Sequence, residues 1–359
     1  MHIADVTMFY AAQSGGIRRY LEAKRAWLTR RGVRHTLVVP ARNGCIEEQP
    51  GTLLLPSVPL AAGYRLPLGG RRAADLIIRA RPQIIEAADP YHLAWAAVRA
   101  RDRLRGRAVA FCHSNFPQLV RGRYGARAER VALGYLRRLY AEFDLVIAPS
   151  RHVADALCES GVRRVVRQPL GVDTVTFTPE RFSAALRASL QVRPDQKLLV
   201  YAGRFAPEKN LDVLIAAARE LGGTHRLLLV GAGALPSPLP GNVQVIDYLA
   251  SRRALATLLA SCDAFVYAGD QETFGLVALE AMAAGLPVIG PRAGGIGELL
   301  DDGGGVRVEP GDAFALATAV REVLTRPASA LRAEARAIAA QHEWPAVFTQ
   351  LLQRYEMLL

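Results

Sequence analysis

Residues Gln271 to Gly290 read QETFGLVALEAMAAGLPVIG. Two carboxylates eight positions apart, Glu272 and Glu280, stand around the apolar run TFGLVAL, and small residues then lead into GLPVIG. The preceding DAFVYAG and the closing PVIG are short β-rich runs. The stretch therefore reads as strand, exit loop DQET, helix, strand. Strands this short and apolar, joined by helices, build a parallel sheet covered on both faces. Thr273 is the expected N-cap, with the helix running through Phe274, Gly275 and Leu276 to about Ala284.

The same plan extends outward. KLLVYAG, HRLLLVGAG and NVQVIDY are further strands of the second half, with LDVLIAAARELG and RRALATLLASC as helices. The first half opens on the strand IADVTMFY, a glycine pair in QSGGIRRY, and a helix from Ile17 whose Tyr20, Leu21, Ala23, Lys24, Trp27 and Leu28 suggest one covered face. HTLVVP, TLLLPSV, QIIEAAD, AVAFCHS and DLVIAPS follow as strands, most of them separated by helical runs. PLGVDTVTFTPE has little periodicity and reads as a linker, and EWPAVFTQLLQRYEMLL as a terminal amphipathic helix. The expectation is α/β: two Rossmann-like, doubly wound domains facing across a cleft, over residues 1–170 and 171–342. A last helix, 343–359, would cross back to the first domain.

Composition bounds the function. At 359 residues, 51% hydrophobic and 22% charged, the chain can bury two cores without disulfide or metal support. Cys45, Cys112, Cys158 and Cys262 are scattered and form no C-x-x-C pair, which fits a reducing cytosol. No secretory signal and no apolar run near the roughly 20 residues of a membrane span is found. The expected location is cytoplasmic, with any membrane role peripheral, at the cytoplasmic face. Residues 1–170 hold 28 Lys+Arg and 13 Asp+Glu, a net +15, and the remaining 17 and 20 give −3. The basic half would attract anionic partners. Its helix with Arg127, Arg130, Arg137 and Arg138 beside Val131, Leu133, Leu136 and Leu139 could lie in a membrane interface, or be a solvated basic face. No nucleic-acid motif is recognisable, so no nucleic-acid partner is expected.

Ligands of open α/β sheets sit beyond the carboxyl ends of the strands. The loop RFAPEKN after LLVYAG holds Arg204 and Lys209, a forked donor and a movable point charge suited to a diphosphate. The alternative is ordinary loop charge. Against it, Lys209 is one of only three lysines, with Lys24 and Lys197, in a chain that otherwise uses arginine. The first turn of the helix after DQET offers unpaired N–H groups to a phosphate, and Gly275 permits close approach. Glu272, in the loop, can accept from hydroxyls. Glu280 lies among apolar residues and needs donors, which the paired hydroxyls of a ribose would supply.

GRFAPEKN, ETFGLVALEAMAAGLPVIG and AGGIGELL together resemble the retaining GT-B glycosyltransferases of family four, whose E-x7-E spacing matches Glu272 and Glu280. SGGIRRYLEAK, HSNFP and PLGVD fall where that family has a glycine loop, a histidine loop and a linker. The resemblance implies a nucleotide-sugar donor bound by the second domain and an acceptor on the side of the first. Arg204 and Lys209 would hold the diphosphate and Glu272 the transferred sugar. The backbone at Phe274, Gly275 and Leu276 would touch sugar and phosphate, and Glu280 would hold the ribose. Gly15 and Gly16 would let their loop approach the phosphates, and His113 would contact the sugar. It further implies a retained α-linkage, made by same-face attack with the leaving phosphate taking the acceptor's proton. Many members carry an Asp soon after this His; here Ser114 and Asn115 follow, which puts a proton relay from His113 in doubt. Without the resemblance His113 would read as a satisfied core or loop residue. The sequence has no D-x-D and no metal-spaced His/Cys cluster, so neither metal nor other cofactor is expected; Arg204, Lys209 and a helix end would do the electrostatic work. The segments YLEAK and HSNFP resemble those of mannosyl- and glycolipid-forming bacterial members, which points to GDP-mannose or a UDP-hexose as donor. The acceptor would be a glycolipid or polysaccharide precursor. A sugar-nucleotide epimerase of this fold and a non-catalytic two-domain sugar-binding protein remain alternatives.

Overall fold

The computed structural model describes residues 1–11, 15–41, 50–60 and 64–359. Cys45 and Ser14 of SGGIRRYLEAK lie outside these residues. The chain forms two compact units, Met1–Pro169 with Trp344–Leu359, and Leu170–Glu343.

The first unit runs β1 (His2–Val6), α1 (Gly16–Arg30), β2 (Arg34–Pro40), β3 (Thr52–Leu55), β4 (Ser57–Pro59), β5 (Arg65–Pro67), α2 (Gly70–Ala80), β6 (Ile84–Ala87), α3 (His92–Leu104), β7 (Arg107–Phe111), α4 (Phe116–Ala141), β8 (Leu145–Ala148), α5 (Arg151–Glu159) and β9 (Val165–Arg167). Seven strands form one sheet, in the order β3-β2-β1-β6-β7-β8-β9, and every pairing in it is parallel. Its inner strands are buried residue after residue, as helices on both faces require. TLLLPSV, expected as one strand, is two: Pro56 ends β3, and β4 turns away to pair antiparallel with β5. A proline cannot donate to a ladder, so the break falls there.

The second unit runs α6 (Ala184–Ser189), β10 (Lys197–Ala202), α7 (Leu211–Leu221), β11 (His225–Gly231), β12 (Val243–Asp247), α8 (Arg252–Ala260), β13 (Ala264–Val266), α9 (Leu276–Ala283), β14 (Val288–Pro291), α10 (Gly294–Leu299), β15 (Gly305–Val308), α11 (Ala313–Val323) and α12 (Ala328–Ala340). Its sheet is also all parallel, in the order β12-β11-β10-β13-β14-β15. Order reverses between β10 and β13, and in open α/β sheets ligands bind at the carboxyl ends of the strands at such a switch point, so the loops leaving these two neighbours are the place to look for a site. The last helix, α13 (Trp344–Glu356), packs its buried Trp344, Val347, Phe348, Leu351 and Tyr355 into the first unit.

Two expectations are corrected. The helix α9 begins at Leu276, not after a Thr273 cap; its N-cap is Gly275, in the left-handed region at φ 96°. A helical Gly275 is ruled out by that backbone turn, which brings the loop against α10. The arginine-rich helix cannot present the apolar residues proposed for an interface, because Leu136 and Leu139 are core residues at 2% and 0% exposure. They close the first unit's core against Ala110 and Val146. Arg127, Arg130, Arg137 and Arg138 are exposed, and among the apolar residues only Val131 is so. This helix also breaks at Gly125 (φ 81°).

Candidate active site

The loop after β10 is anchored on both sides. Phe205 N donates to Ala232 O at 2.8 Å and Gly203 N to Val230 O at 2.9 Å, which fixes it to the exit of β11. Pro207–Lys209 forms a 3-10 turn ending at Asn210, whose left-handed backbone (φ 49°) starts α7. The Asn210 amide donates to Ala268 O at 3.2 Å, which ties the turn to the exit of β13. Lys209 is thereby turned toward the neighbouring loop across the switch point.

There it meets Glu272. Lys209 Nζ donates to Glu272 Oε2 at 2.7 Å and to the Tyr267 hydroxyl at 2.9 Å, and that hydroxyl donates to the same Oε2 at 2.6 Å. Burial works to raise the Glu272 carboxyl, but the Lys209 charge and the hydrogen bonds from Lys209 and Tyr267 outweigh it and hold it below the usual range. Tyr267 is raised well above the ordinary phenol value, by burial first and then by the Glu272 charge; it stays protonated and donates. Arg204 is not part of this cluster: its guanidinium is largely exposed and pairs with Glu208 at 3.2 Å.

The segment from Glu272 to Leu276 is held from below by α10. Gly295 N donates to Glu272 O at 2.6 Å. A Cβ at Gly295 would stand 2.5 Å from Phe274 N and Cα, and one at Gly294 2.8 Å from Glu272 O. Gly294 and Gly295 of AGGIGELL thus leave room for the loop that lies on them. Phe274 is buried, its ring 6.0 Å from that of His342, so it offers a ligand only backbone. Glu280 is 3% exposed on a helix buried nearly all round.

The first unit's candidates are arranged differently. Gly15 is the N-cap of α1 and Gly16 its first residue; nothing lies within 4 Å of a Cβ placed at Gly15. His113 stacks on Phe111 at 4.1 Å and lies 4.9 Å from Tyr20. Burial, with repulsion from Lys24, lowers its imidazole to about 3. It is a neutral hydrogen-bonding group and no acid for a relay near neutral pH. Asn115, two residues after His113, caps α4 by accepting from Gln118 N at 3.4 Å.

Two family models cover most of the chain: Glycosyltransferase Family 4 over residues 14–176, and Glycosyl transferases group 1 over residues 182–342. A GDP-mannose-dependent alpha-mannosyltransferase of Mycobacterium tuberculosis is 32% identical over 77% of this chain and 73% of its own. The chain belongs to glycosyltransferase family 4. A second relative from that organism, a GDP-mannose-dependent alpha-(1-6)-phosphatidylinositol dimannoside mannosyltransferase, is 29% identical over 98% and 95% of the two chains. Membership sets aside the epimerase and the non-catalytic binding protein. Among solved structures, Anabaena HepE in complex with UDP matches this family 4 enzyme with a TM-score of 0.81 at 22% identity, over all of both chains. Sucrose-phosphate synthase of Thermosynechococcus elongatus matches at 0.80 and 23%, over 100% and 99%. The fold class is GT-B.

In this glycosyltransferase, sequence reading missed Tyr267 and Tyr201. Their rings stack at 5.8 Å, and the Tyr201 hydroxyl donates to Arg204 O at 2.8 Å. Both end apolar strand runs and read there as core aromatics. The one available signal was their position, at the last turns of β10 and just past β13.

Proposed function

We propose that the enzyme transfers mannose from GDP-mannose to a hydroxyl of a glycolipid or lipid-linked acceptor, with retention of the α-configuration and without a metal. The observation that carries the donor site is the Lys209–Glu272 contact of 2.7 Å between the two loops at the switch point. It supplies a cation for a diphosphate and a carboxylate for sugar hydroxyls side by side. The choice of GDP-mannose rests on the names of the two mycobacterial relatives, one of which acts on a phosphatidylinositol dimannoside.

On this reading Lys209 and Arg204 take up the negative charge that grows on the departing diphosphate. Preorganised donors of this kind stabilise a transition state without reorganisation. The backbone N–H groups from Gly275 and Leu276, at the start of α9, add to the same field. Glu272 orients the sugar and Glu280 the ribose. The acceptor hydroxyl attacks on the face the diphosphate leaves, and a phosphate oxygen takes its proton, so no protein base is required. His113, Gly15 and Gly16 keep the roles the family resemblance implies. The basic first unit attaches to anionic lipid; among the described residues no helix is long and apolar enough to cross a membrane.

The test uses purified protein with GDP-mannose, UDP-glucose and ADP-glucose, each with and without a phosphatidylinositol mannoside, in buffer containing a chelator. Slow hydrolysis of GDP-mannose alone, transfer with the lipid, and an α-anomeric product are expected. Unfolding temperature should rise more with GDP than with UDP or ADP, since binding to the folded state alone stabilises by mass action. Selective stabilisation by UDP overturns the donor assignment, a β-anomer overturns retention, and abolition by chelator overturns metal independence.

A further inference from the structure

Under the Lys209–Glu272 pair lies a residue that neither the sequence motifs nor the proposed donor contacts assign. Tyr267 is 2% exposed. Its ring stacks with that of Tyr201 (5.8 Å, 27°) and with that of Phe265 (6.4 Å, 15°). A phenylalanine would fill the same space. Yet the hydroxyl reaches beyond the rings to the two loop side chains, donating to Glu272 and accepting from Lys209.

We propose that Tyr267 is a positioning residue for glycosyl transfer: its hydroxyl closes a three-membered ring with Lys209 and Glu272 and fixes both in the orientation the nucleotide sugar needs. The inference rests on the donor-site reading above.

Hydrogen-bond capacity decides what the ring leaves over. An ammonium has three N–H donors and no acceptor. Two of those of Lys209 are spent, on Glu272 Oε2 and on the Tyr267 oxygen. One remains for a phosphate. Among the described residues the Glu272 carboxylate receives its two hydrogen bonds on Oε2, which leaves Oε1 for a sugar hydroxyl. The ring thus presents one donor and one acceptor, set by a rigid side chain with two torsions. A free lysine stem carries rotamer entropy that binding must otherwise remove; here it is removed before the donor arrives. Tyr201 serves the same loop at the next position, holding the Arg204 carbonyl at 2.8 Å. The hydroxyl also helps hold the Glu272 carboxyl low, behind the larger effect of Lys209, so that Glu272 is a carboxylate at working pH.

The test is Tyr267→Phe, which keeps the ring and removes one oxygen, with Lys209→Ala and Glu272→Gln alongside. Hydrogen bonds to charged groups set the scale, so kcat should fall about tenfold to a hundredfold while KM for the donor moves much less. The acidic limb of the kcat/KM profile should shift to higher pH, because Glu272 loses a donor. A merely structural tyrosine would lower the unfolding temperature and leave that limb in place. Adding Tyr267→Phe to Glu272→Gln should cost little more than Glu272→Gln alone, since the two act through one ring. Wild-type kcat, an unmoved acidic limb, or fully additive losses in a folded Tyr267→Phe overturn the positioning role. Lys209→Ala separates the two readings: if it is inactive while Tyr267→Phe matches wild type, only the positioning role fails, whereas if it turns over normally the donor-site reading fails and this role with it.

Discussion

Lys24 and Tyr355 lie 331 residues apart in the chain, and the Lys24 ammonium donates to the Tyr355 hydroxyl at 2.9 Å. The same ammonium lies 2.7 Å from Asp5 and 3.0 Å from Glu86, and all three side chains are at most 1% exposed. His35 binds the other oxygen of Asp5 at 2.7 Å, and the Tyr20 and Tyr355 hydroxyls both bind Glu86. One lysine thereby joins β1, β6 and the last helix. Buried ion pairs are dearly desolvated, so the assembly is weak evidence of stability as a whole, but removing one partner strands the others. Lys24→Met should therefore lower unfolding free energy by about 3–5 kcal/mol, and Tyr355→Phe by about 1–3 kcal/mol. Urea unfolding at neutral pH measures both; a Lys24→Met within 1 kcal/mol of wild type would refute the assignment.

Next to this cluster, His113 sets a pH dependence. Its imidazole, ordinarily near 6.5, is lowered to about 3 by burial and by Lys24. Below 6.5 the unfolded chain takes up a proton there that the folded chain refuses, so the stability His113 contributes is full above 6.5 and drains away as pH falls toward 3. Between pH 7 and 4.5 wild type should lose about 2.5 kcal/mol more than His113→Asn, the slope reaching roughly 1.4 kcal/mol per pH unit only well below 6.5. Parallel denaturation curves at pH 7 and 4.5 check this; equal losses in the two proteins rule it out.

The two carboxylates of the signature should separate by ligand. Glu280→Ala is expected to weaken binding of free GDP in calorimetry. Glu272→Ala should leave that binding nearly intact while transfer collapses, because its proposed partner is the sugar. The reverse order of effects would exchange the assignments.

How far such roles could be read from sequence depended on range. The covered face of α1 was visible as a period: of Tyr20, Leu21, Ala23, Lys24, Trp27 and Leu28, named as one face, all are buried but Ala23, which is half-buried. That Lys24 meets Asp5, Glu86 and Tyr355 was not visible, since no local pattern links positions 5, 86 and 355. Alternating apolar strands and helices carried the two parallel sheets, but not the split at Pro56, where turn chemistry overrode a continuous apolar run. At the switch point, Lys209 and Glu272 were singled out from loop position and residue type. Their direct contact, and Tyr267 beneath them, depend on β10 and β13 being neighbours, which strand order alone decides.

Gly275 tests the loop–helix junction. Its backbone is left-handed at φ 96°, and a Cβ there would stand 2.5 Å from Ile296 Cγ1. Gly275→Ala therefore incurs both backbone strain, about 1–3 kcal/mol for a non-glycine in such a region, and displacement of Ile296. Unfolding free energy should fall by at least 1 kcal/mol and donor affinity with it, because the first N–H groups of α9 move. An alanine variant with unchanged stability and unchanged KM for the donor would show that neither the turn nor its contact matters.

The charge asymmetry of the two halves makes the last prediction. With Leu136 and Leu139 in the core, these two residues are not offered to lipid; the exposed apolar residues of α4 are Leu119, Tyr124 and Val131, and the attachment predicted here is chiefly electrostatic. Arg127, Arg130, Arg137 and Arg138 all remain on the solvent side. Each basic residue near an anionic leaflet contributes about 1 kcal/mol, so these four alone give a usable, reversible interaction. Charge of this kind is screened over about 8–10 Å at physiological salt. Liposomes rich in anionic lipid should co-sediment the enzyme at low salt and release it as salt rises, while neutral liposomes should leave it in the supernatant. Arg127→Gln with Arg130→Gln should weaken recovery without altering hydrolysis of the donor in the absence of lipid, since neither residue is given a role toward the donor. Equal recovery on anionic and neutral liposomes, or recovery indifferent to salt, would mean that the basic half is only a solvated surface.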